Sequence, residues 1–299
     1  MTDIGVMIEA QEGLDWERWR RIVADSERLG FAALRCSDHC YSVAGGEGRR
    51  SLQAWTALAL AAGWTERIEL GPMVSPVTFY VPAVLGRTAL AVDELSGGRL
   101  VLGVGTGWNQ AEHERFGIEF PPLGERFDRL ESAIARIRSV FDGRPVRLLI
   151  GGGGERRTLA LAAREAAEWN LLGADPETYR AKAAVLAERC REAGRDPDEI
   201  RHSVMAGYLV GRDEVELRER AGRLCEVLPR LLAGRTAEEA LELVRTSRGR
   251  WFAGTPAEVV EQMRPYVSAG VSLFMLQHYL LDDADALELL AAEVMPALA

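Results

Sequence analysis

Short apolar segments alternate with longer amphipathic segments along the whole chain, and this alternation constrains the fold more than any other feature. The short segments predict eight β-strands, at residues 4–9, 32–36, 68–71, 100–104, 146–150, 168–172, 203–210 and 271–276. Helix signals lie between them, including Asp15 as an N-cap and capping boxes that begin at Thr236 and Thr255. Eight strand–helix repeats without a linker predict a (β/α)₈ TIM barrel rather than an open, doubly wound sheet.

The repeats run without a break in composition, so we expect a single domain over residues 1–299. One connection is too long for a single crossover helix. The stretch 213–246 has helical character throughout and precedes the last predicted strand. We therefore predict a helical insertion over about residues 211–250, before strand eight, within the same domain.

The charge balance and the cysteines restrict the partners and the compartment. The net charge is −9, whereas nucleic-acid binding requires clustered Lys and Arg, so no nucleic-acid partner is expected. The longest nearly apolar stretch, 54–64, is too short to cross a membrane. The four cysteines lack a disulfide-framework spacing, and the chain begins as a strand near Ile4 without a leader. We expect a cytoplasmic protein with reduced thiols.

In a (β/α)₈ barrel the functional groups follow the C-terminal ends of the strands. Directly after predicted strand two come Ser37, Asp38 and His39. His39 can act as a general acid or base near neutral pH, and Asp38 can position a cofactor or orient the imidazole. The alternative is a solvated loop in which the histidine caps a helix. Zinc binding is disfavoured, because no second Cys or His pair accompanies Cys36 and Cys40.

A glycine-rich segment, Gly103-Val-Gly-Thr-Gly-Trp108-Asn109, follows predicted strand four. It is not a dinucleotide fingerprint, because Trp108 occupies the place of the third glycine. Its glycines would allow the backbone to pass close to a flat ring or a sugar chain. The alternative is a tight corner of the barrel.

Four consecutive glycines, Gly151 to Gly154, follow predicted strand five and precede a predicted helix over 155–167. Consecutive amides at a helix N-terminus form an anion site that suits a phosphate. No Gly-Lys-Ser/Thr follows, which excludes a nucleotide P-loop. Arg156 and Arg157 can assist, or they can simply be solvated.

In this order, these segments resemble the luciferase-like monooxygenase superfamily over nearly the whole chain. The combination of Leu-Ser-Gly-Gly-Arg with Gly-x-Gly-x-Gly-Trp is the most specific part of the resemblance. The matching residues are Leu29-Gly30-Phe31, Ser37-Asp38-His39, Asp93 to Arg99, Gly103 to Asn109, Ile150 to Gly153, and Gly254-Thr255-Pro256 with Glu258. Ser-Asp-His after strand two is similar to the branch that uses the deazaflavin coenzyme F420, whereas long-chain aldehyde monooxygenases tend to have Glu-His-His there.

The resemblance implies a (β/α)₈ barrel with an insertion, usually a homodimer, that binds F420 or FMN. It also implies roles for individual residues. Asp38 and His39 border the cofactor ring, and Met73-Val74 matches a pair that forms a non-prolyl cis peptide. Further cofactor-binding residues are Ser75, Thr106, Gly107 and Asn109 at the ring and its ribityl chain, and Gly151, Gly152, Gly153 and Gly154 at the phosphate. The substrate pocket is expected to include Cys40, Tyr41, Phe79, Tyr80 and Trp108.

We therefore predict an oxidoreductase that transfers hydride between F420 and a small, partly apolar organic substrate, with His39 and Asp38 as catalytic residues. The alternative is an FMN-dependent monooxygenase that uses molecular oxygen. The sugar-phosphate dehydrogenase branch has a glutamate where Trp108 stands and a tryptophan near Val43, so a sugar-phosphate substrate is not predicted. A non-catalytic cofactor carrier is disfavoured by the complete set of site residues.

Overall fold

The computed structural model describes residues 2–46 and 48–298. Its centre is a parallel sheet of ten strands. The strands are β1 (Asp3–Ile8), β2 (Ala33–Cys36), β3 (Glu69–Pro72), β4 (Ser75–Pro76), β5 (Leu102–Gly105), β6 (Leu148–Gly151), β7 (Glu168–Leu172), β8 (Arg201–Val210), β9 (Trp251–Gly254) and β10 (Leu273–Gln277). The strand order is β3-β2-β1-β10-β8-β7-β6-β5-β4.

The two ends of this order meet, so the sheet closes into a barrel. β4 continues β3 and pairs with β5, and a parallel bridge joins Leu70 of β3 to Leu100 just before β5. The Val101 amide donates to the Leu70 carbonyl at 2.8 Å. With β3 and β4 counted as one staggered strand and β9 as an addition beside β8, the barrel has eight strands in chain order. The predicted (β/α)₈ fold is confirmed.

Helices follow the strands around the outside of the barrel. They are α1 (Trp16–Arg28), α2 (Ala54–Trp64), α3 (Pro82–Leu95), α4 (Gln110–Arg115), α5 (Leu123–Phe141), α6 (Thr158–Glu165), α7 (Pro176–Glu192), α8 (Glu214–Val227), α9 (Pro229–Leu232), α10 (Ala237–Thr246), α11 (Pro256–Val267), α12 (Ala284–Leu289) and α13 (Met295–Leu298). The N-cap at Asp15 and both predicted capping boxes are present. No helix in the described part of the chain has the length and apolar character needed to span a membrane.

Alternate residues of each strand serve two separate cores, as the period of a strand requires. In β1, Ile4 and Val6 pack outward against the helices, whereas Met7 points into the barrel. In β10, Phe274 packs outward and Met275 inward. The barrel interior is thus filled with side chains, and a site can form only above this layer.

The predicted insertion contains α8, α9 and α10, which pack together on a small apolar core of their own. The predicted set of eight strands lacked β9, which pairs with β8 directly after these helices. Its four residues, Trp251 to Gly254, are all buried and show no alternation, so the period-2 signal of a half-exposed strand is missing. The helical part ends at Thr246, as the predicted helical stretch 213–246 does.

Candidate active site at the barrel mouth

A cavity of about 460 Å³ opens at the C-terminal ends of the strands. Segments that follow β1, β2, β3, β5, β6 and β10 all contribute to its wall. The lining residues are Glu9, Gln11, Glu12, Ser37, His39, Val43, Ala44, Met73, Val74, Pro76, Phe79, Gly105, Thr106, Gly107, Trp108, Asn109, Glu112, His113, Gly151, Gly152, Asn170, Leu172, Met205, Gln277 and Tyr279.

His39 lies in this wall with its imidazole held by a buried carboxylate. Its Nδ1 is 2.7 Å from Oε2 of Glu112, whose side chain is only 1% exposed. Because a carboxylate accepts hydrogen bonds, Nδ1 carries the proton in the neutral ring and Nε2 has the free lone pair. Burial disfavours the imidazolium, but the hydrogen bond and charge of Glu112 outweigh it, and the pKa of His39 is raised above its usual value.

Glu112 is a functional residue that sequence reasoning missed. It lies in the first turn of α4, where Asn109 caps the helix by accepting from the Glu112 amide at 3.3 Å. Its second oxygen accepts from the Cys40 amide at 2.5 Å, so one carboxylate fixes both His39 and the following residue. No local motif links Glu112 to His39, because an Asn-x-x-Glu spacing at a helix start predicts a bond back to the cap residue.

Asp38 lies behind the wall and does not orient the imidazole. Its carboxylate is 5% exposed and accepts from the Ser75 hydroxyl at 2.5 Å and the Tyr80 hydroxyl at 2.8 Å. Burial raises the pKa of Asp38 against the lowering effect of these two donors. Trp55 donates its indole N–H to the Ser75 hydroxyl at 3.2 Å. Asp38 and Ser75 thus tie the segment after β2 to the segment after β3.

The Met73-Val74 peptide bond is cis, as the resemblance implied, and both residues line the cavity. This corner packs against β5. A Cβ atom on Gly103 would overlap the Pro72 carbonyl oxygen, and one on Gly105 would lie 2.8 Å from a Val74 methyl group. Packing between the strands therefore explains these two glycines, as expected for a tight corner of the barrel.

The rest of the glycine-rich segment borders the cavity. Gly107 has a positive φ of 74°, which favours glycine, and its carbonyl accepts a short hydrogen bond from Arg126. Trp108 is 63% exposed, and its ring meets the His39 ring edge to face at 5.7 Å between centroids. Thr106 and Asn109 also line the cavity.

The four-glycine segment differs from the prediction at its helical end. α6 begins at Thr158 rather than at residue 155, and a turn over residues 155–157 separates it from the glycines. Glu155, Arg156 and Arg157 follow the glycines directly, and no side-chain hydrogen bond caps α6. The predicted helix therefore begins three residues too early. The Gly152 amide donates to the Asn170 carbonyl at 2.9 Å. Among the described residues, the Gly153 and Gly154 amides have no partner.

These free amides lie in a surface depression that adjoins the cavity. Its lining includes Gly153, Gly154, Arg156, Arg157 and Lys182, and Thr106 belongs to both the depression and the cavity. Lys182 pairs with Glu155 at 2.7 Å. Arg157 is engaged elsewhere, with Asp128 and Glu131 of α5. The cavity and the depression with the free amides therefore adjoin at Thr106.

Cys40 and Tyr41, two of the predicted substrate-pocket residues, are absent from the cavity wall. Cys40 is exposed, with its amide bound to Glu112, and Tyr41 packs against Phe116 and under Arg115. Phe79 does line the cavity. The structure thus brings His39 and most of the predicted ring contacts together, and places Asp38, Ser75 and Tyr80 behind them.

Further polar residues of the wall were not anticipated. Glu9, Gln11 and Glu12 follow β1. Gln277 is the last residue of β10, and Tyr279 follows two residues later. β1 and β10 are neighbours in the closed barrel but stand at opposite ends of the chain. Their proximity could be expected from barrel closure, but no local motif marks these residues.

Comparison with known proteins assigns the class. The model of the family described as luciferase-like monooxygenase matches residues 1–273. The chain therefore belongs to the luciferase-like monooxygenase family.

Its relatives include enzymes named for F420. It is 27% identical over 288 residues to the F420-dependent glucose-6-phosphate dehydrogenase of Kribbella flavida, covering 84% of this chain and 85% of that one. It is also 27% identical over 324 residues to the F420-dependent hydroxymycolic acid dehydrogenase of Mycobacterium tuberculosis, with coverages of 95% and 87%. An F420-dependent secondary alcohol dehydrogenase, solved with an F420–acetone adduct, has a TM-score of 0.81 at 21% identity, covering 100% of this chain and 99% of its own.

Proposed function

We propose that this chain is an F420-dependent oxidoreductase that transfers hydride between the deazaflavin and a small organic substrate. Two relatives that span most of the chain are named as F420-dependent dehydrogenases. The observation that carries the proposal is the cavity beside His39, which adjoins at Thr106 the depression with the free amides of Gly153 and Gly154. This arrangement suits a cofactor with a flat ring at one end of a chain and a phosphate further along it.

The residues present fit such a cofactor. Met73 and Val74 would contact one side of the ring, and Thr106, Gly107 and Asn109 would border the ring and the chain that leads away from it. The amides of Gly153 and Gly154 would donate to the phosphate, with Arg156 and Lys182 adding positive charge. Bound F420 supplies a ring carbon that donates or accepts the hydride, and the protein contributes position and proximity.

His39 would exchange the proton that accompanies hydride transfer. When the substrate is oxidised, the neutral imidazole accepts the proton at Nε2, and when it is reduced, the imidazolium donates it. Glu112 holds the ring through Nδ1 and stabilises its charged form. Asp38 would act as a positioning residue, because Ser75 and Tyr80 bind its carboxylate and connect the His39 segment to the Met73-Val74 corner.

Equilibrium titration with F420 and with FMN, followed by cofactor fluorescence, tests the proposal without a known substrate. We expect F420 to bind at least about tenfold more tightly than FMN, a difference of about 1.4 kcal/mol. Gly154→Asp, which brings a carboxylate to the phosphate position, should weaken F420 binding. Gly63→Asp on α2, where a side chain meets open space, is the matched control. Tight FMN binding without F420 binding would favour the alternative of an FMN-dependent monooxygenase.

A further inference from the structure

Apart from the imidazoles of His39 and His113, the charged groups around the cavity have one sign. Among its described lining residues there is no Lys or Arg, whereas three carboxylates, Glu9, Glu12 and Glu112, belong to the wall. The basic residues of the neighbouring depression, Arg156, Arg157 and Lys182, lie on the phosphate side. The charge of the cavity therefore depends on which carboxylates are balanced by nearby cations.

Two of the three carboxylates are balanced. Glu112 faces the His39 imidazole, whose pKa it raises, and Glu12 pairs with Arg49 at 3.3 Å. Glu12 also accepts from the Ser42 hydroxyl and from two amides of the same loop. Both groups therefore have structural partners that take up their charge.

Glu9 differs, because it makes no ion pair with any residue that the structure describes. Amide groups hold both of its oxygens, with Gln11 Nε2 at 2.9 Å and Gln277 Nε2 at 2.6 Å. Gln11 is itself fixed by the Ser37 hydroxyl, which donates to its Oε1 at 2.5 Å. Neutral donors thus orient this carboxylate at the cavity wall, and no ion pair within the described residues involves it.

Tyr279 adds a hydroxyl on the same side of the cavity. Burial, followed by the charges of Glu9 and Glu12, raises the pKa of Tyr279, so its hydroxyl stays protonated. That hydroxyl has no hydrogen-bond partner in the described part of the chain, and the Tyr279 ring packs on Trp251. Glu9 and Tyr279 therefore present one acceptor and one donor to whatever occupies this end.

We propose that the substrate of this site is uncharged or cationic, that its hydroxyl or ammonium group donates to Glu9, and that phosphate esters and carboxylates are excluded. This inference rests on the proposed function, because it assigns the space that the cofactor ring leaves free. An anion there would meet a carboxylate without an ion pair, and no Lys or Arg among the described lining residues could bind it. The apolar side chains Val43, Ala44 and Leu172 of the same wall suit a substrate with an apolar body. The relatives named for glucose 6-phosphate act on a dianion, and this cavity lacks the cations to hold one.

Three probes that share a ring and differ in charge test the inference: cyclohexanol, cyclohexylamine and cyclohexyl phosphate. Their dissociation constants for the F420-loaded protein are measured by ligand-observed NMR. We expect the alcohol and the amine each to bind at least about tenfold more tightly than the phosphate. Equal or tighter binding of the phosphate, or binding of none of the three, would overturn the inference.

Charge-changing variants connect the preference to Glu9. Glu9→Gln should reduce the preference for the alcohol and the amine over the phosphate to about twofold. Glu9→Lys should reverse that preference, so that the phosphate binds best. Glu261→Lys makes the same charge change at a side chain that is 72% exposed on α11, and it should leave the preference as it is. An unchanged preference in both Glu9 variants would also overturn the inference. F420 affinity is measured on the same samples. If F420 fails to bind, the proposed function is wrong, and the order of the probes is still read on the protein without cofactor.

Discussion

At the scale of single residues, the His39 imidazole is held by a carboxylate that lies far along the chain. Glu112 is 73 positions away, buried, and bonded to both Nδ1 of His39 and the Cys40 amide. His39 itself could be predicted, because a histidine directly after a barrel strand has few structural reasons to be there. Its partner could not, because the contact joins the segment after β2 to α4, which follows β5, and these come together only in the closed barrel.

A first prediction concerns this pair. Glu112→Gln removes the negative charge that stabilises the imidazolium, so the pKa of His39 falls. Where His39 is the base, activity rises with pH through that pKa, and where it is the acid, activity falls. In either direction of the reaction, the limb of the kcat/KM profile that reports His39 should therefore move to lower pH in Glu112→Gln. The profile is measured with the best substrate found for the unmodified protein.

His39→Ala serves as the reference for this prediction. It should remove the limb altogether and lower kcat by about 10²–10⁴-fold, the usual contribution of a general acid or base. F420 affinity should stay within about twofold, because the ring contacts lie on other segments. A Glu112→Gln profile that coincides with that of the unmodified protein would show that the contact has only a structural role.

At the scale of elements, the loop after β2 is fixed by the insertion. Arg49 donates to the carbonyls of Glu226 and Val227 at the end of α8 and also pairs with Glu12. Arg230 of α9 donates to the Val43 carbonyl at 3.1 Å. Because Val43 and Ala44 line the cavity, the insertion shapes one side of the candidate substrate site.

A second prediction follows from these contacts. Arg49→Ala releases the loop from α8, and KM should rise by about tenfold, the cost of losing hydrogen bonds from a charged donor. The dissociation constant of F420 should not change, because the ring and phosphate contacts lie on other strands. Arg245→Ala breaks a pair with Glu214 inside the insertion and is the matched control. A loss of F420 affinity equal to the rise in KM would contradict the assignment of this wall to the substrate.

The sequence predicts an element well where an apolar run is bounded by turn residues, and poorly where such a boundary is missing. The eight predicted strands all occur, because strands of a parallel barrel are apolar runs bounded by turn residues. β9 escaped prediction because it is an apolar run directly after a helical insertion. The start of α6 was placed too early because Glu155, Arg156 and Arg157 suit a helix, although they form a turn.

At the scale of the whole molecule, a network of charged side chains crosses the N-terminal end of the barrel. Arg35 of β2 is fully buried and lies 3.2 Å from Glu168 of β7 and 3.5 Å from Glu69 of β3. Arg201 bonds both carboxylates. Within the described residues, Nε and Nη1 of Arg35 have no hydrogen-bond partner, and Glu168, followed by Glu69, supplies its counter-charge. This network joins opposite sides of the barrel beneath the apolar layer that supports the site.

A third prediction is that Glu168→Gln lowers the free energy of unfolding by about 3–5 kcal/mol, because it leaves a buried guanidinium without its main counter-charge. Chemical denaturation measures the effect. Glu94→Gln removes the exposed partner of Arg144 and should cost less than about 1 kcal/mol. Equal losses of unfolding free energy in the two variants would show that the buried network does not hold the barrel together.

The homodimer and the cytoplasmic location expected from the sequence stay predictions at this scale.

A crystal structure of the F420 complex tests the central claim most directly, because it locates ring and phosphate independently. We predict that the ring lies against Met73 and Val74 with His39 beside its substrate-facing side, and that the phosphate accepts hydrogen bonds from the amides of Gly153 and Gly154. A ring outside the barrel-mouth cavity, or a phosphate bound away from these glycines, would contradict the account.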